Sequence, residues 1–164
     1  RAAIGIGLAA AVLGAGAAAA QEASPLEVAG MTFVGTRGDG SEMLLRAERA
    51  IFSPRTHLAL LEQVRAIATD PKHDRSFEIR CQRAELNLET NDFSAEGEVQ
   101  GRTQAGERYE APWVRYDRKQ DLLYTDAKVK MDNEAGRFSG DGFRYHVKER
   151  RFRLLGNVQV EQAP

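Results

Sequence analysis

A repeat of about 30 residues constrains this chain more than any other feature of its sequence. Valines recur at matching positions: Val64, Val99, Val129 and Val158. Small side chains recur upstream of them at nearly the same intervals: Ala47, Cys81, Ala111 and Gly140. Because both series keep the same register, we interpret the sequence as four copies of one unit that contains two segments.

The second segment of each unit alternates apolar and polar side chains. Thr125, Ala127 and Val129 alternate with Asp126 and Lys128, and two further copies show the same period. A period of two places one set of side chains on each face of a β-strand, whereas a helix would distribute them around its circumference. The pattern predicts half-buried strands with one apolar face.

The first segment of each unit changes parity in its middle. In the first copy Leu45 and Ala47 share one parity, whereas Ala50 and Phe52 share the other. A β-bulge would return all four side chains to one face. The predicted bulges lie near residues 48–49 and 112–113.

Turn-forming sequences such as residues 53–56 and 118–120 connect the segments and favour hairpins. An opening strand is predicted over residues 29–36, and a longer polar loop at residues 69–75 accounts for the wider first interval. We therefore predict an all-β fold of repeated antiparallel hairpins. The sheet must curl or stack so that its apolar face lies inward, with almost no helix after residue 25.

Residues 1–24 form a separate N-terminal segment. Residues 2–20 carry no charge, and this length is close to the roughly 20 residues that cross a bilayer. The alanines at 18–20, before Gln21, also satisfy the small-x-small rule for signal-peptide cleavage. Two alternatives stay open, an uncleaved inner-membrane anchor and a cleaved export signal. Either one predicts that residues 25–164 form a domain outside the cytoplasm, most simply in a bacterial periplasm.

Composition argues against several functions. The 23 basic residues nearly balance the 24 acidic ones, so no basic excess indicates nucleic-acid binding. The single cysteine, Cys81, excludes an internal disulfide framework and a cysteine-built zinc site. Because Cys81 aligns with alanine and glycine in other copies, we expect a small buried side chain. His57, His73 and His146 lie in separate copies without neighbours at ligand spacing, so we expect neither a metal nor another cofactor.

The carboxylates do not form the pattern of an enzyme site. A glycosidase needs two carboxylates that face one cleft. Asp121 lies in a predicted turn, whereas Glu96 and Asp126 lie on the predicted polar face. We therefore expect no enzymatic activity. Trp113 is either an outward surface aromatic or a partner contact.

The inner face carries many small residues, among them Ala47, Ala95, Gly97 and Ala111. Two facing sheets with small side chains at their centre leave a gap unless larger side chains interlock. Such a gap could hold a bound molecule. The alternative is that the inward residues fill an ordinary sandwich core. No helix follows Val160 to cover the last strand, so this edge is either blunted or extended by a strand from another chain.

Three segments resemble the LptC family of the lipopolysaccharide export bridge: residues 39–50, 109–117 and 154–158. The resemblance extends over roughly residues 26–160. It implies an open, twisted β-jellyroll, similar to LptA and LptC, held on the periplasmic side of the inner membrane by one N-terminal helix. It also implies that lipopolysaccharide moves along an apolar groove with its sugars outside. The implied partners are inner-membrane ABC transporter subunits at the N-terminal edge and an LptA-like bridge protein at the C-terminal edge.

With this resemblance we assign residues to the groove and to the two edges. The expected lipid-binding residues are Phe52, Leu60, Ala95, Val99, Val114, Thr125, Val129, Phe143 and Leu154. The expected docking residues are Met31, Phe33 and Val34 at one edge, and Leu154, Gly156, Val158 and Val160 at the other. Two alternatives stay open: a soluble LptA-like periplasmic bridge protein, and a structural β-repeat scaffold that carries no lipid.

Overall fold

The computed structural model describes residues 23–36, 38 and 40–164. The N-terminal segment predicted at residues 1–24 lies outside these residues except for its last two, so the predicted domain boundary after residue 24 stays a prediction. Within the described part of the chain, no helix is long and apolar enough to cross a membrane.

Twelve strands and one short 3₁₀ turn form the regular structure of the described residues. The strands are β1 (Leu26–Thr36), β2 (Glu42–Ser53), β3 (Leu58–Asp70), β4 (Arg75–Asn87), β5 (Phe93–Thr103), β6 (Arg108–Asp117), β7 (Leu122–Thr125), β8 (Val129–Asn133), β9 (Gly136–Gly140), β10 (Gly142–His146), β11 (Arg151–Leu155) and β12 (Gln159–Gln162). The 3₁₀ turn, Pro71–His73, lies in the polar loop between β3 and β4. The predicted all-β fold is confirmed.

The strands form one antiparallel sheet that divides into two half-sheets. β1 to β6 follow one another as a meander, and after β6 the sheet continues along two paths. Half-sheet I continues through β7, β10 and β11, whereas half-sheet II continues through β8, β9 and β12. Residues 115–117 of β6 pair with β7, and residues 108–110 pair with β8. Each long strand from β1 to β6 therefore contributes to both half-sheets.

A line of irregular residues, here called the crease, separates the half-sheets. The ladder between β2 and β3 is interrupted at Glu48. Between β5 and β6 the register shifts, and Gly97 and Glu98 oppose the single residue Pro112. The predicted parity change is confirmed at both places. A β-bulge is present only between β5 and β6, where the extra residue opposite Pro112 belongs to β5 rather than β6. The bulge predicted near residues 48–49 is wrong, because Glu48 and Gln63 are skipped together and the register of β2 and β3 does not shift. Gly97 has φ +77, and a Cβ there would lie 2.7 Å from Gln82 Oε1, so the position favours glycine.

The inner faces of the two half-sheets enclose the core. Leu45, Leu61, Thr125 and Val129 are the largest fully buried side chains. Smaller buried side chains surround them: Ala47, Ala50, Ala59, Val64, Ala66, Cys81, Ala84, Ala95, Val99, Ala111 and Val114. A single layer would leave this face in water, so its burial shows that the half-sheets cover each other. The predicted burial of Cys81 is confirmed, and desolvation raises the pKa of its thiol to about 11.

Hydrogen bonds between neighbouring turns fix the outer end of half-sheet I. The Asp121 side chain is 9% exposed and accepts a hydrogen bond of 2.5 Å from the Tyr116 hydroxyl. Its second carboxylate oxygen accepts a 3.1 Å bond from the Lys148 amide. The Asp121 carbonyl accepts a 3.0 Å bond from the Val147 amide. This carboxylate therefore joins the β6–β7 turn to the β10–β11 turn.

Candidate functional site: the apolar inner face and its edges

Two unbroken rows of mostly apolar side chains cross the inner face from one sheet edge to the other. The row in half-sheet I is Leu26, Phe52, Ala59, Leu86, Phe93, Tyr116, Leu123, Tyr145 and Phe152. The row in half-sheet II is Phe33, Leu45, Ala66, Ile79, Gly101, Tyr109, Met131, Phe138 and Val160. Successive members are paired directly across two strands, so their side chains share one face.

Eight of the nine residues predicted to contact lipid lie on this inner face. Six of them are buried: Ala95, Val99, Val114, Thr125, Val129 and Phe143. Phe52 and Leu154 are partly buried and pack against the core from its margin. The predicted lining residues therefore come together on one surface, and most of that surface is covered by the facing half-sheet.

Leu60 is the exception, and its predicted placement on the inner face is wrong. Ala59 and Leu61 are buried, so the alternation along β3 places Leu60 on the outer face, where it is 46% exposed. The cause is the crease at Gln63, whose φ is +50. This irregular residue changes the parity of β3, so a strict count backwards from Val64 assigns the wrong face.

The expected gap between the sheets is not present along the crease. Ala95 is 0% exposed and Val129 is 1% exposed, which leaves no space for solvent beside them. The small side chains at these positions are fully covered, so they do not line a solvent-accessible void.

The β1 edge leaves its end of the inner face accessible. β1 pairs only with β2, so its second edge has no strand beside it among the described residues. Leu26 and Phe33, the first members of the two rows, are 57% and 40% exposed. Met31 is partly buried against the core, and Val34, which points to the outer face, is 62% exposed. The predicted docking residues at this edge therefore lie on an unpaired strand with apolar side chains.

Aromatic side chains close the opposite end of the inner face; we call Phe77, Tyr109, Phe143, Tyr145 and Phe152 the aromatic closure. The rings of Phe143 and Phe152 stack with centroids 5.5 Å apart. Phe152 also contacts Tyr109 at 5.8 Å, and Tyr109 contacts Phe77 at 6.2 Å. Because Phe152 belongs to half-sheet I and Tyr109 to half-sheet II, these contacts join the two half-sheets.

The Tyr109 hydroxyl lies at the margin of the aromatic closure. It donates a hydrogen bond of 3.0 Å to Glu107 Oε2. Burial, followed by the neighbouring Glu107 carboxylate, raises the pKa of Tyr109. The phenol therefore stays neutral at physiological pH and serves as an apolar ring with one satisfied polar atom.

A polar contact between two turns lies beside the aromatic closure; we call Asp70, His73 and Arg150 the turn contact. The Arg150 guanidinium lies 2.8 Å from the His73 ring nitrogens. His73 Nδ1 lies 2.7 Å from Asp70 Oδ2, and this hydrogen bond is the main reason why the pKa of the Asp70 carboxyl is lowered. The contact joins the β10–β11 turn of half-sheet I to the β3–β4 turn of half-sheet II.

The C-terminal edge is divided between two short strands. β11 pairs only with β10, and β12 pairs only with β9. Leu154 is partly buried, whereas Val158 and Val160 are 48% and 61% exposed. Gly156, at φ +66, separates the two strands and is exposed. Of the predicted C-terminal docking residues, Leu154 lies on β11 and Val160 on β12, whereas Gly156 and Val158 lie in the segment between these strands.

Trp113 lies on the outer face of β6, where its side chain is partly buried. Its ring is perpendicular to that of Tyr124 at 6.2 Å, and the Arg115 guanidinium lies 5.2 Å from its centroid.

No group of three or more metal-binding side chains occurs in the described residues.

The sequence interpretation missed the aromatic closure and the turn contact. Both join residues from different copies of the repeat, and pairing between half-sheets is not encoded in a strand's own alternation. One signal was available: aromatic residues are concentrated after residue 108, where the strands also become short.

Comparisons with known proteins give one family and one fold. The family model "Lipopolysaccharide-assembly, LptC-related" matches residues 21–108 and 100–162. Among solved structures, the chain is similar to LptH of Pseudomonas aeruginosa, described as the LptA homologous periplasmic component of the conserved lipopolysaccharide transport device. The TM-score is 0.58 at 12% identity, over 74% of this chain and 95% of that chain, which shows a shared fold. A comparison with curated proteins gave no match.

Proposed function

The chain belongs to the LptC-related family of lipopolysaccharide-assembly proteins, and from this premise we propose that it carries the acyl chains of lipopolysaccharide along its inner face. It receives the lipid from the inner-membrane transporter at the β1 edge and passes it to a soluble bridge protein at the C-terminal edge. The observation that carries this proposal is the pair of apolar rows that run between two unpaired edges.

The energetics favour a continuous apolar surface for such a cargo. Each methylene of an acyl chain that leaves water contributes about 0.8 kcal/mol. A lipid with several chains therefore needs an apolar surface along its whole route. The rows provide that surface with few polar side chains, so the lipid can change position without breaking fixed hydrogen bonds.

Entry at the β1 edge is favoured because the inner face is accessible there. Leu26 and Phe33 are exposed, and Met31 and Phe52 are partly buried. Farther along, Ala95 and Val129 are covered by the facing half-sheet, so the half-sheets must separate to admit a chain. Release at the other end requires the aromatic closure to open.

Partner docking follows from the unpaired edges. An exposed strand edge presents amide and carbonyl groups that a strand from another protein pairs with. The β1 edge would meet the transporter, and β11 with β12 would meet the bridge protein. Residues 1–24 would hold the chain on the periplasmic side of the inner membrane, or would be removed after export to give a soluble periplasmic protein. We propose no enzymatic role and no cofactor.

Site-specific photo-crosslinking in cells tests the proposal. Photoreactive residues at Phe52, Val129 and Leu154 should capture lipopolysaccharide, because these side chains face inward. The matched control is Leu60, an exposed leucine on the outer face of the same sheet. Equal capture at Leu60 and at the inward positions would contradict an inner lipid path. Absence of capture at every position would favour a structural scaffold instead.

A further inference from the structure

We infer that the outer face of β6, β7, β10 and β11 binds the phosphate groups of the lipid's sugar headgroup. This inference rests on the proposed function, because it assigns the headgroup of a lipid whose acyl chains contact the inner face. The site consists of three arginines, Arg115, Arg144 and Arg153, which we call the basic row.

The strand register places the basic row on one continuous line. Arg115 pairs with Tyr124 across β6 and β7, and Tyr124 pairs with Arg144 across β7 and β10. Arg144 in turn pairs directly with Arg153 across β10 and β11. All four side chains therefore lie on the same outer face, in consecutive strands.

The charges of the basic row repel one another unless an anion lies between them. Like charges directly opposite on neighbouring strands destabilise a sheet, and Arg144 opposes Arg153 in this way. Asp126 compensates one of the three charges through a 2.5 Å ion pair with Arg144. Arg115 and Arg153 have no carboxylate at ion-pair distance within the described residues. Two of the three positive charges of the row therefore have no ion pair within the described residues.

The same half-sheet shows how an outer face is balanced when no ligand is needed. On β2 to β5, the cross-strand row Arg49, Glu62, Arg83 and Glu96 alternates in sign. Arg49 lies 2.7 Å from Glu27 and 3.5 Å from Glu62. A second row of like charges, Arg46, Arg65 and Arg80, crosses β2 to β4. There Glu78 lies 2.9 Å from Arg65 and 2.5 Å from Arg80, whereas the basic row has one ion pair for three arginines.

Aromatic rings and backbone carbonyls hold two of the guanidinium groups in place. Arg115 lies over Trp113 at 5.2 Å, and Arg144 lies over Tyr124 at 5.1 Å. Arg144 also donates hydrogen bonds to the carbonyls of Phe143 and Thr125, at 2.9 and 3.1 Å. Guanidinium groups held in this way lose little side-chain entropy when they bind a phosphate through their remaining N–H groups.

The basic row is adjacent to the end of the lipid path. Along β11, Phe152 and Leu154 face the core, whereas Arg151 and Arg153 face outward. Because β11 is an edge strand, a lipid that passes around it contacts apolar side chains on one face and arginines on the other. Charge complementarity then identifies the occupant as the phosphorylated headgroup.

Binding of purified bisphosphorylated lipid A to the full chain tests this inference. The test variant is Arg115→Gln/Arg153→Gln, which removes two arginines that have no ion pair with any residue the structure describes. The matched control is Arg83→Gln/Arg102→Gln, which removes two exposed outer-face charges elsewhere. The same lipid with its phosphates removed, vesicles of phosphatidylglycerol and inorganic phosphate serve as comparison ligands.

We expect the test variant to raise the Kd for bisphosphorylated lipid A by at least about tenfold over the control variant. Both variants should bind the dephosphorylated lipid equally, since that lipid reports only on the inner face. Equal Kd values for bisphosphorylated lipid A in the two variants would overturn the inference.

Two further outcomes would also overturn it. A matching loss with phosphatidylglycerol vesicles would assign the basic row to a membrane surface. Loss of inorganic phosphate binding with unchanged lipid A binding would assign it to a free anion. If the wild-type chain binds only phosphorylated ligands and not the dephosphorylated lipid, the proposed inner lipid path fails while the basic row stands.

Discussion

The two ends of the inner face are built from the same apolar rows but are closed to different degrees. At the β1 end, Leu26 and Phe33 are exposed, and no strand in the described structure pairs with the second edge of β1. At the β11 end, Phe152 lies between Tyr109 and Phe143, so side chains of both half-sheets fill the space. A repeated sequence pattern therefore produces an accessible entrance at one end and a packed closure at the other.

Strand length explains much of this difference. β1 to β6 have 10 to 13 residues and cross both half-sheets. β7 to β12 have only 4 or 5 residues, and each belongs to a single half-sheet. The short strands β10 and β11 belong to half-sheet I alone, and Phe152 of β11 contacts Tyr109 of half-sheet II.

Removal of the central ring of the aromatic closure should have the largest effect. We expect Phe152→Ala to lower the free energy of unfolding by about 3 kcal/mol, because the ring contacts three other aromatic side chains. The matched change at the accessible end, Leu26→Ala, should stay within about 0.5 kcal/mol. Urea unfolding followed by circular dichroism measures both. Equal losses would show that the two ends are packed alike.

Enlargement of a crease residue should have the next largest effect. Ala95 is 0% exposed, so the three added carbons of Ala95→Leu must displace the facing half-sheet. We expect a loss of about 1–3 kcal/mol in the free energy of unfolding. Ala68→Leu, at an exposed position on β3, is the control. An unchanged or increased stability for Ala95→Leu would indicate that a gap lies beside Ala95, as the small residues suggested.

The turn contact should have a smaller effect that depends on pH. Because the folded chain lowers the pKa of the Asp70 carboxyl, chiefly through its hydrogen bond with His73, the ionised carboxylate contributes stability above its ordinary pKa of about 4. That contribution is lost as the pH falls through the lowered pKa. The melting temperature of Asp70→Asn should therefore be lower than that of the wild type at pH 7, and this difference should become smaller below pH 4. A difference that persists in acid would argue against this role.

Local pattern was sufficient to predict most of the fold. The parity change after Ala47 predicted the faces of β2, because it depends on neighbours along the chain. Alternation in residues 123–131 predicted strand and face, but residues 126–128 interrupt that strand and leave two short ones, β7 and β8. Leu60 was assigned to the wrong face of the sheet because the irregular residue Gln63 changes the alternation along β3. The face on which a strand residue lies could thus be predicted wherever the sequence showed the parity change at the crease.

Contacts between half-sheets could not be derived in the same way. Phe152 contacts Tyr109, and Arg150 contacts His73, between the two half-sheets. No periodicity within one strand encodes such a contact. For the same reason, the small residues were compatible with either a gap or a filled core. The full burial of Ala95 and Val129 favours the filled core.

The least disruptive comparison of the closed and accessible regions is chemical, because it uses the native Cys81. Burial raises the pKa of this thiol to about 11, so at pH 8 only about 0.1% of it is thiolate. We expect iodoacetamide to label Cys81 at least about 100-fold more slowly in the folded chain than in urea, where the thiol pKa is near 8.5. A cysteine placed at the edge, Val158→Cys with Cys81→Ala, should label at nearly the unfolded rate. Similar rates for Cys81 and the cysteine at position 158 would mean that the half-sheets separate readily without lipid, and that the crease is as accessible as the segment between β11 and β12.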